Sequence, residues 1–233
     1  MSEYIDNSTK RKDLLKHLLI QLHEGAPASV LRGRLIEVLS SIPYNEVVEV
    51  EEELINSGTL TSEEILDFCD LHTSVLDGSI DLEGAKTIPP GHPVDTFKKE
   101  NIAIRNEIDK AHHLFEDLKS VTKENINEYV IKIRTVFNAL SDIDKHYKRK
   151  EYLLFPYLEK HEVTGPPKVM WGKHDEIRGL MKDIYEALET PEIDVEELKP
   201  IIEMVIKPVL ELIEGMIMKE EEILLPMTMD TLT

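Results

Sequence analysis

Nearly every long segment of this chain repeats apolar residues at intervals of three and four. A helix brings such positions onto one stripe, whereas a strand needs a period of two. The pattern limits the chain to helices packed stripe against stripe. Glycine, which weakens helix interiors, is scarce at 10 of 233 residues. The fold class that follows is all-α.

The first region, 1–82, reads as a small helical domain. "KDLLKHLLIQLHEG" closes on Gly25, "PASVLRGRLIEVLSSI" opens on Pro27, and "PYNEVVEVEEELINSG" closes on Gly58. "TLTSEEILDFCDLHTSVL" starts from Thr61, whose capping box would be completed by Glu64. The stretch "DGSIDLEGAKTIPPGHP" interrupts the periodicity with glycine and proline, so 83–93 is taken as a linker.

Residues 94–233 fit four longer helices in an up-and-down four-helix bundle. Helix A, Val94 to Lys119, has the stripe Phe97, Ile104, Ile108 and Phe115, with Asn101 on it. Helix B, Lys123 to Lys160, has Ile126, Val130, Ile133, Phe137, Leu140 and Ile143. Helix C, Lys168 to Leu188, has Met170, Ile177, Met181 and Ile184. Helix D, Val195 to Leu225, has Ile202, Val205, Val209 and Ile213, and Pro208 inside it predicts a kink or break.

The endings of helices B and D repeat: "KRKEYLLFP" and "MKEEEILLP". With Pro156 set on Pro226, Leu154 falls on Leu224, Glu151 on Glu221 and His146 on Met216. Helix A set on helix C puts Asn101 on His174, Ile104 on Ile177 and Arg105 on Arg178. Two helical hairpins related by a pseudo-twofold axis would produce this. His146 and His174 sit three residues from apolar stripe positions, and Glu151 and Glu221 lie near the inward edges. Imidazole and carboxylate facing one another across a bundle can hold a metal ion. Each has a plainer reading: a hydrogen-bonded core histidine, or a solvated acidic run for Glu220, Glu221 and Glu222.

"HYKRKEYLLFPYLE", "KHDEIRGLM" and "MKEEEILLPM" resemble helices B, C and D of the hemerythrin-like, or HHE cation-binding, domains. The region before them, including "CDLH" and "GHPVDTFKKEN", resembles a domain of unknown function often found ahead of such domains in bacteria and archaea. The resemblance implies a bundle holding a non-haem di-iron site with bridging carboxylates and histidines. Such a bundle binds dioxygen, senses oxygen or iron, or handles nitric oxide. Carried over by position, the ligands would be His146, Glu151, His174 and Glu221, with His92, Asn101, Met216 and Glu220 as further candidates. Asn101 and Met216 stand where the family has histidine, and Met170 stands where a second histidine of helix C would fall. Such a depleted set could take one zinc, iron or manganese ion, or a weak pair. Alternatively the bundle binds no metal, and Glu–Arg and Glu–His pairs take its place.

The chain carries 27 basic and 46 acidic residues, a net −19, which argues against nucleic acid as a partner. The single cysteine, Cys69, excludes an intrachain disulfide. No apolar run approaches the length of a membrane span, and the start lacks the pattern of a signal peptide, so a cytoplasmic location is expected. Cys69 and His72 lack the partners of a structural zinc site and read as packing residues. Haem between His174 and Met216 has no attachment motif in its favour. The expectation is a metal-binding or oxygen-, redox- or metal-sensing protein without turnover of its own, taking non-haem iron or zinc, with a gaseous ligand, a protein partner or a homodimer as its context. The alternatives are a metal-free interaction module, and an enzyme acting on oxygen, nitric oxide or peroxide.

Overall fold

The structure is a computed structural model and describes residues 2–39, 42, 44–61, 87–189 and 193–232. The expected helix from Thr61 with its capping box, the pair Cys69 and His72, and the first part of the connection 83–93 lie outside the described residues. Every described element is a helix, so the chain is all-α.

By its contacts the chain forms two compact units. One comprises Met1–Ala85, Leu158–Gly172 and Met218–Thr233; the other comprises Lys86–Tyr157 and Lys173–Ile217. In the first, α1 (Ser2–His23), α2 (Ala28–Leu39) and α3 (Tyr44–Asn56) pack around Leu15, Leu18, Leu19, Leu35, Val47 and Leu54, and Val169 packs on this core. Gly25 and Gly58 end their helices at positive φ, 92° and 71°. Side chains other than glycine rarely take that backbone conformation, so glycine marks both turns.

The second unit begins at α4 (Pro93–Glu116), which runs into a 3-10 turn at Asp117–Ser120. His92 caps α4 through Nδ1, which accepts from the Val94 N–H at 3.2 Å. Helix B is divided into α5 (Ile126–Leu140), α6 (Ile143–Leu153) and α7 (Phe155–Lys160). Two local causes act. The Ser141 hydroxyl donates to the Asn138 carbonyl, and Asp142 and Asp144 N–H groups bond three residues back, so the backbone tightens between α5 and α6. Pro156 then removes an N–H and crowds the Tyr152 carbonyl, and the helix breaks at Leu154 (φ −114°, ψ −55°). Helix C is α8 (Gly165–Leu188), with Pro166 and Pro167 in its first turn.

Helix D is divided too. It comprises α9 (Val195–Ile201), a π-turn at Ile202–Ile206, α10 (Lys207–Lys219), a second π-turn at Glu220–Leu224, and α11 (Leu225–Leu232). Each π-turn ends two residues before an interior proline, Pro208 or Pro226, whose missing N–H and bulky ring a wider turn accommodates. The extra residue in the first π-turn shifts the stripe, so Ile206 rather than Val205 is buried after Ile202. The expected stripes of helices B and C are buried throughout, and of helix A only Phe115 is not fully covered. Tyr129 donates to the Leu114 carbonyl and Tyr185 to the Phe137 carbonyl, each at 2.6 Å, tying α5 to α4 and α8.

Candidate functional site

Three helices of the second unit bring a polar layer into the core. From α4 come Glu100 and Asn101, from α6 come His146, Tyr147, Lys150 and Glu151, and from α8 come His174 and Arg178. Relative exposure is 0% for Asn101, Lys150 and His174, and 2% for His146 and Glu151. Side chains of these types are rarely so covered unless paired or bound.

Both imidazoles are held by carboxylates. His146 Nδ1 lies 2.7 Å from Glu100 Oε2, and His174 Nδ1 lies 2.8 Å from Glu151 Oε1. A carboxylate accepts, so each Nδ1 carries the hydrogen and each neutral ring keeps its lone pair on Nε2. His174 Nε2 is buried with no hydrogen-bond partner among the described residues, as are both polar atoms of the Asn101 amide and the Tyr147 hydroxyl. Burial, then the positive charge of Lys150, pushes both histidines far below their usual pKa.

The carboxylates are already committed to cations. Arg178 Nη2 donates to both oxygens of Glu151, at 2.8 and 2.9 Å, and the same guanidinium also holds Asp144 through Nε and Asp175 through Nη1. Arg149 Nη2 donates to Glu100 Oε1 at 2.6 Å. Lys150 Nζ stands 4.7 Å from the centroid of the Tyr147 ring, and that ring stacks on His174 at 3.8 Å with 13° between planes. Burial pushes the Lys150 amine well below its usual range, while Glu151 and Glu100 favour its charged form.

The remaining candidates are carried by other segments of the chain. His92 is spent on capping α4. Met216 is buried on α10. Glu220 and Glu221 lie on the second π-turn, in the first unit; Glu220 is fully buried and Glu221 half-buried.

Lys150, Arg178, Glu100 and Tyr147 belong to the layer although ligand reasoning passed over them. The signal for Lys150 was in the repeat: the register that sets Glu151 on Glu221 sets Lys150 on Glu220, four residues after His146 and Met216 respectively. Both members of that second pair are wholly buried.

A helical bundle with histidines and carboxylates in its core defines the class to which the second half of the chain conforms. Residues 92–228 match the hemerythrin HHE cation binding domain, and residues 15–82 match a family of unknown function, DUF438. The first match spans more than half of the chain, which thus belongs to the hemerythrin HHE cation-binding family. No curated protein and no solved structure matches it.

The family implies a cation, and the residues present do not fit a dinuclear metal centre. Glu100 and Glu151 are occupied by arginine and by imidazole N–H groups. Lys150, wholly buried in the same layer, brings a basic amine and no carboxylate to it. Among the described residues no three His, Cys, Asp or Glu side chains form a metal-holding group. No described helix is long and apolar enough to cross a membrane.

Proposed function

We propose that this protein is a hemerythrin-fold module that holds no resident metal and acts through binding to a partner, not through turnover. One observation carries the reading: Lys150 is wholly buried on the same helix face as His146, one turn away. Placing an ammonium in an apolar core costs several kcal/mol unless surrounding groups stabilise it. Here Tyr147 offers its ring face, and Glu151 and Glu100 act at longer range. Exposed Tyr152, Leu153 and Tyr157, 55 to 65% accessible, supply apolar surface of the kind that protein contacts use.

Elemental analysis tests this on the full chain produced in iron-supplemented and in zinc-supplemented cells. The expected content is below about 0.2 metal ions per chain in both. A content near one, lost in His146→Ala and His174→Ala, overturns the proposal. A second reading, a mononuclear iron or zinc site, draws on a specific feature. Each imidazole is fixed by a carboxylate at Nδ1, the arrangement that orients metal-bound histidine. The same measurement separates the two.

A further inference from the structure

Three enclosed side chains of the polar layer carry polar atoms that the protein itself leaves unmet. Asn101 on α4, Tyr147 on α6 and His174 on α8 are 0, 1 and 0% exposed. Both polar atoms of the Asn101 amide, the Tyr147 hydroxyl and His174 Nε2 have no hydrogen-bond partner among the described residues. The layer around them is continuous. Glu100, next to Asn101 in the chain, holds His146 at 2.7 Å, and the Tyr147 ring stacks on His174 at 3.8 Å. Four such atoms left dry would consume a sizeable share of a domain's small net stability, and buried polar groups are as a rule satisfied by protein or by ordered water.

We propose that this layer is a binding site for internal water, with one molecule held at the Asn101 amide, one at the Tyr147 hydroxyl, and His174 Nε2 as a further acceptor. At His174 alone this rests on the metal-free reading above, because a metal ion would take Nε2 for itself. Each water is fixed by its own side chain, so the three groups need not converge on one point.

The chemistry of the four atoms selects the ligand. The amide nitrogen of Asn101 only donates, its oxygen only accepts, and the Tyr147 hydroxyl does both. His174 Nδ1 gives its hydrogen to Glu151, at 2.8 Å, so Nε2 accepts. A cation would leave the amide N–H groups without an acceptor. An anion would leave the amide oxygen and Nε2 without a donor. A neutral molecule that donates and accepts equally serves both kinds of atom, and the near-complete cover over all three side chains admits the smallest such molecule. Internal waters occur about once in 27 residues and make about three hydrogen bonds each, so a unit spanning Lys86–Tyr157 and Lys173–Ile217 is of a size to hold several.

The test compares wild type, Asn101→Leu and Tyr147→Phe in the full chain, with metal content measured on the same samples. Magnetic relaxation dispersion of water oxygen-17 counts the waters held inside a protein for longer than it tumbles. Each variant should lose about one such water relative to wild type. Loss in either upholds the inference, and an unchanged count in both overturns it. Should Asn101→Leu fail to fold, Tyr147→Phe decides, since it deletes one oxygen and keeps the ring that stacks on His174. Urea unfolding gives an independent readout. Removing a hydroxyl that water satisfies should leave the unfolding equilibrium of Tyr147→Phe within about threefold of wild type or make the variant less stable. A gain of about tenfold or more is the mark of a dry, orphaned hydroxyl and overturns the inference. A metal content near one ion per chain would sink the metal-free reading alone, because the waters of Asn101 and Tyr147 are read from their own variants.

Discussion

His146 and His174 show how one neighbourhood fixes the protonation of a residue. Both would titrate near 6.5 in water, and burial with the adjacent Lys150 charge holds both neutral well below that. The other charged groups of the layer are Glu100 and Arg149 beside His146, and Glu151 and Arg178 beside His174. The sign of the pH dependence follows. Above pH 6.5 both rings are neutral whether folded or unfolded, so the contribution to stability is constant. Below it the unfolded chain gains two protons that the folded chain refuses, and stability falls as pH falls. Each histidine contributes about 1.4 kcal/mol per pH unit over that range. Urea unfolding at pH 7, 6 and 5 should therefore show stability dropping by about 2–3 kcal/mol between pH 6 and 5. His174→Asn should roughly halve that slope; a slope unchanged by the substitution contradicts the assignment.

At the scale of elements, the helices are set by punctuation as much as by stripes. Asp194 caps α9 by accepting from the Glu197 N–H at 2.9 Å, while the Glu197 carboxylate accepts from the Asp194 N–H at 3.3 Å. Asp194→Ala should cost about 1 kcal/mol in chemical unfolding, since two N–H groups of the first turn lose their acceptors or the reach that secures them. The prolines act differently. Pro156 breaks a helix, whereas Pro208 and Pro226 each follow a π-turn that keeps the axis running. A break or kink at Pro208 was readable from composition. The form it takes was not, because break and π-turn satisfy the same missing N–H, and neighbouring packing chooses between them. The same holds at Ser141, where a hydroxyl competing for the Asn138 carbonyl ends α5 inside a stripe that is apolar on both sides.

At the scale of the molecule, each compact unit has a core of its own. Leu54 is 0% exposed in the core of α1, α2 and α3, so Leu54→Ala should destabilise the protein by about 3 kcal/mol, read by circular dichroism in urea. A loss below about 1 kcal/mol would mean that this core repacks freely. The all-α class, the buried stripes and the membership of the hemerythrin family were legible in the chain, because period and spacing are local properties that a helix converts directly into faces. His146, Glu151 and His174 were legible as inward residues for the same reason. Their roles were not. Whether Glu151 faces a metal or an arginine depends on Arg178, 27 residues away, and whether His146 is a ligand or a hydrogen-bond donor depends on Glu100 on another helix. The sequence by itself determined which face of each helix turns inward, and the spacing from His146 puts Lys150 on that face. Only the tertiary structure decided that Lys150 is wholly enclosed and which carboxylate and arginine meet each imidazole, because those partners come from other helices.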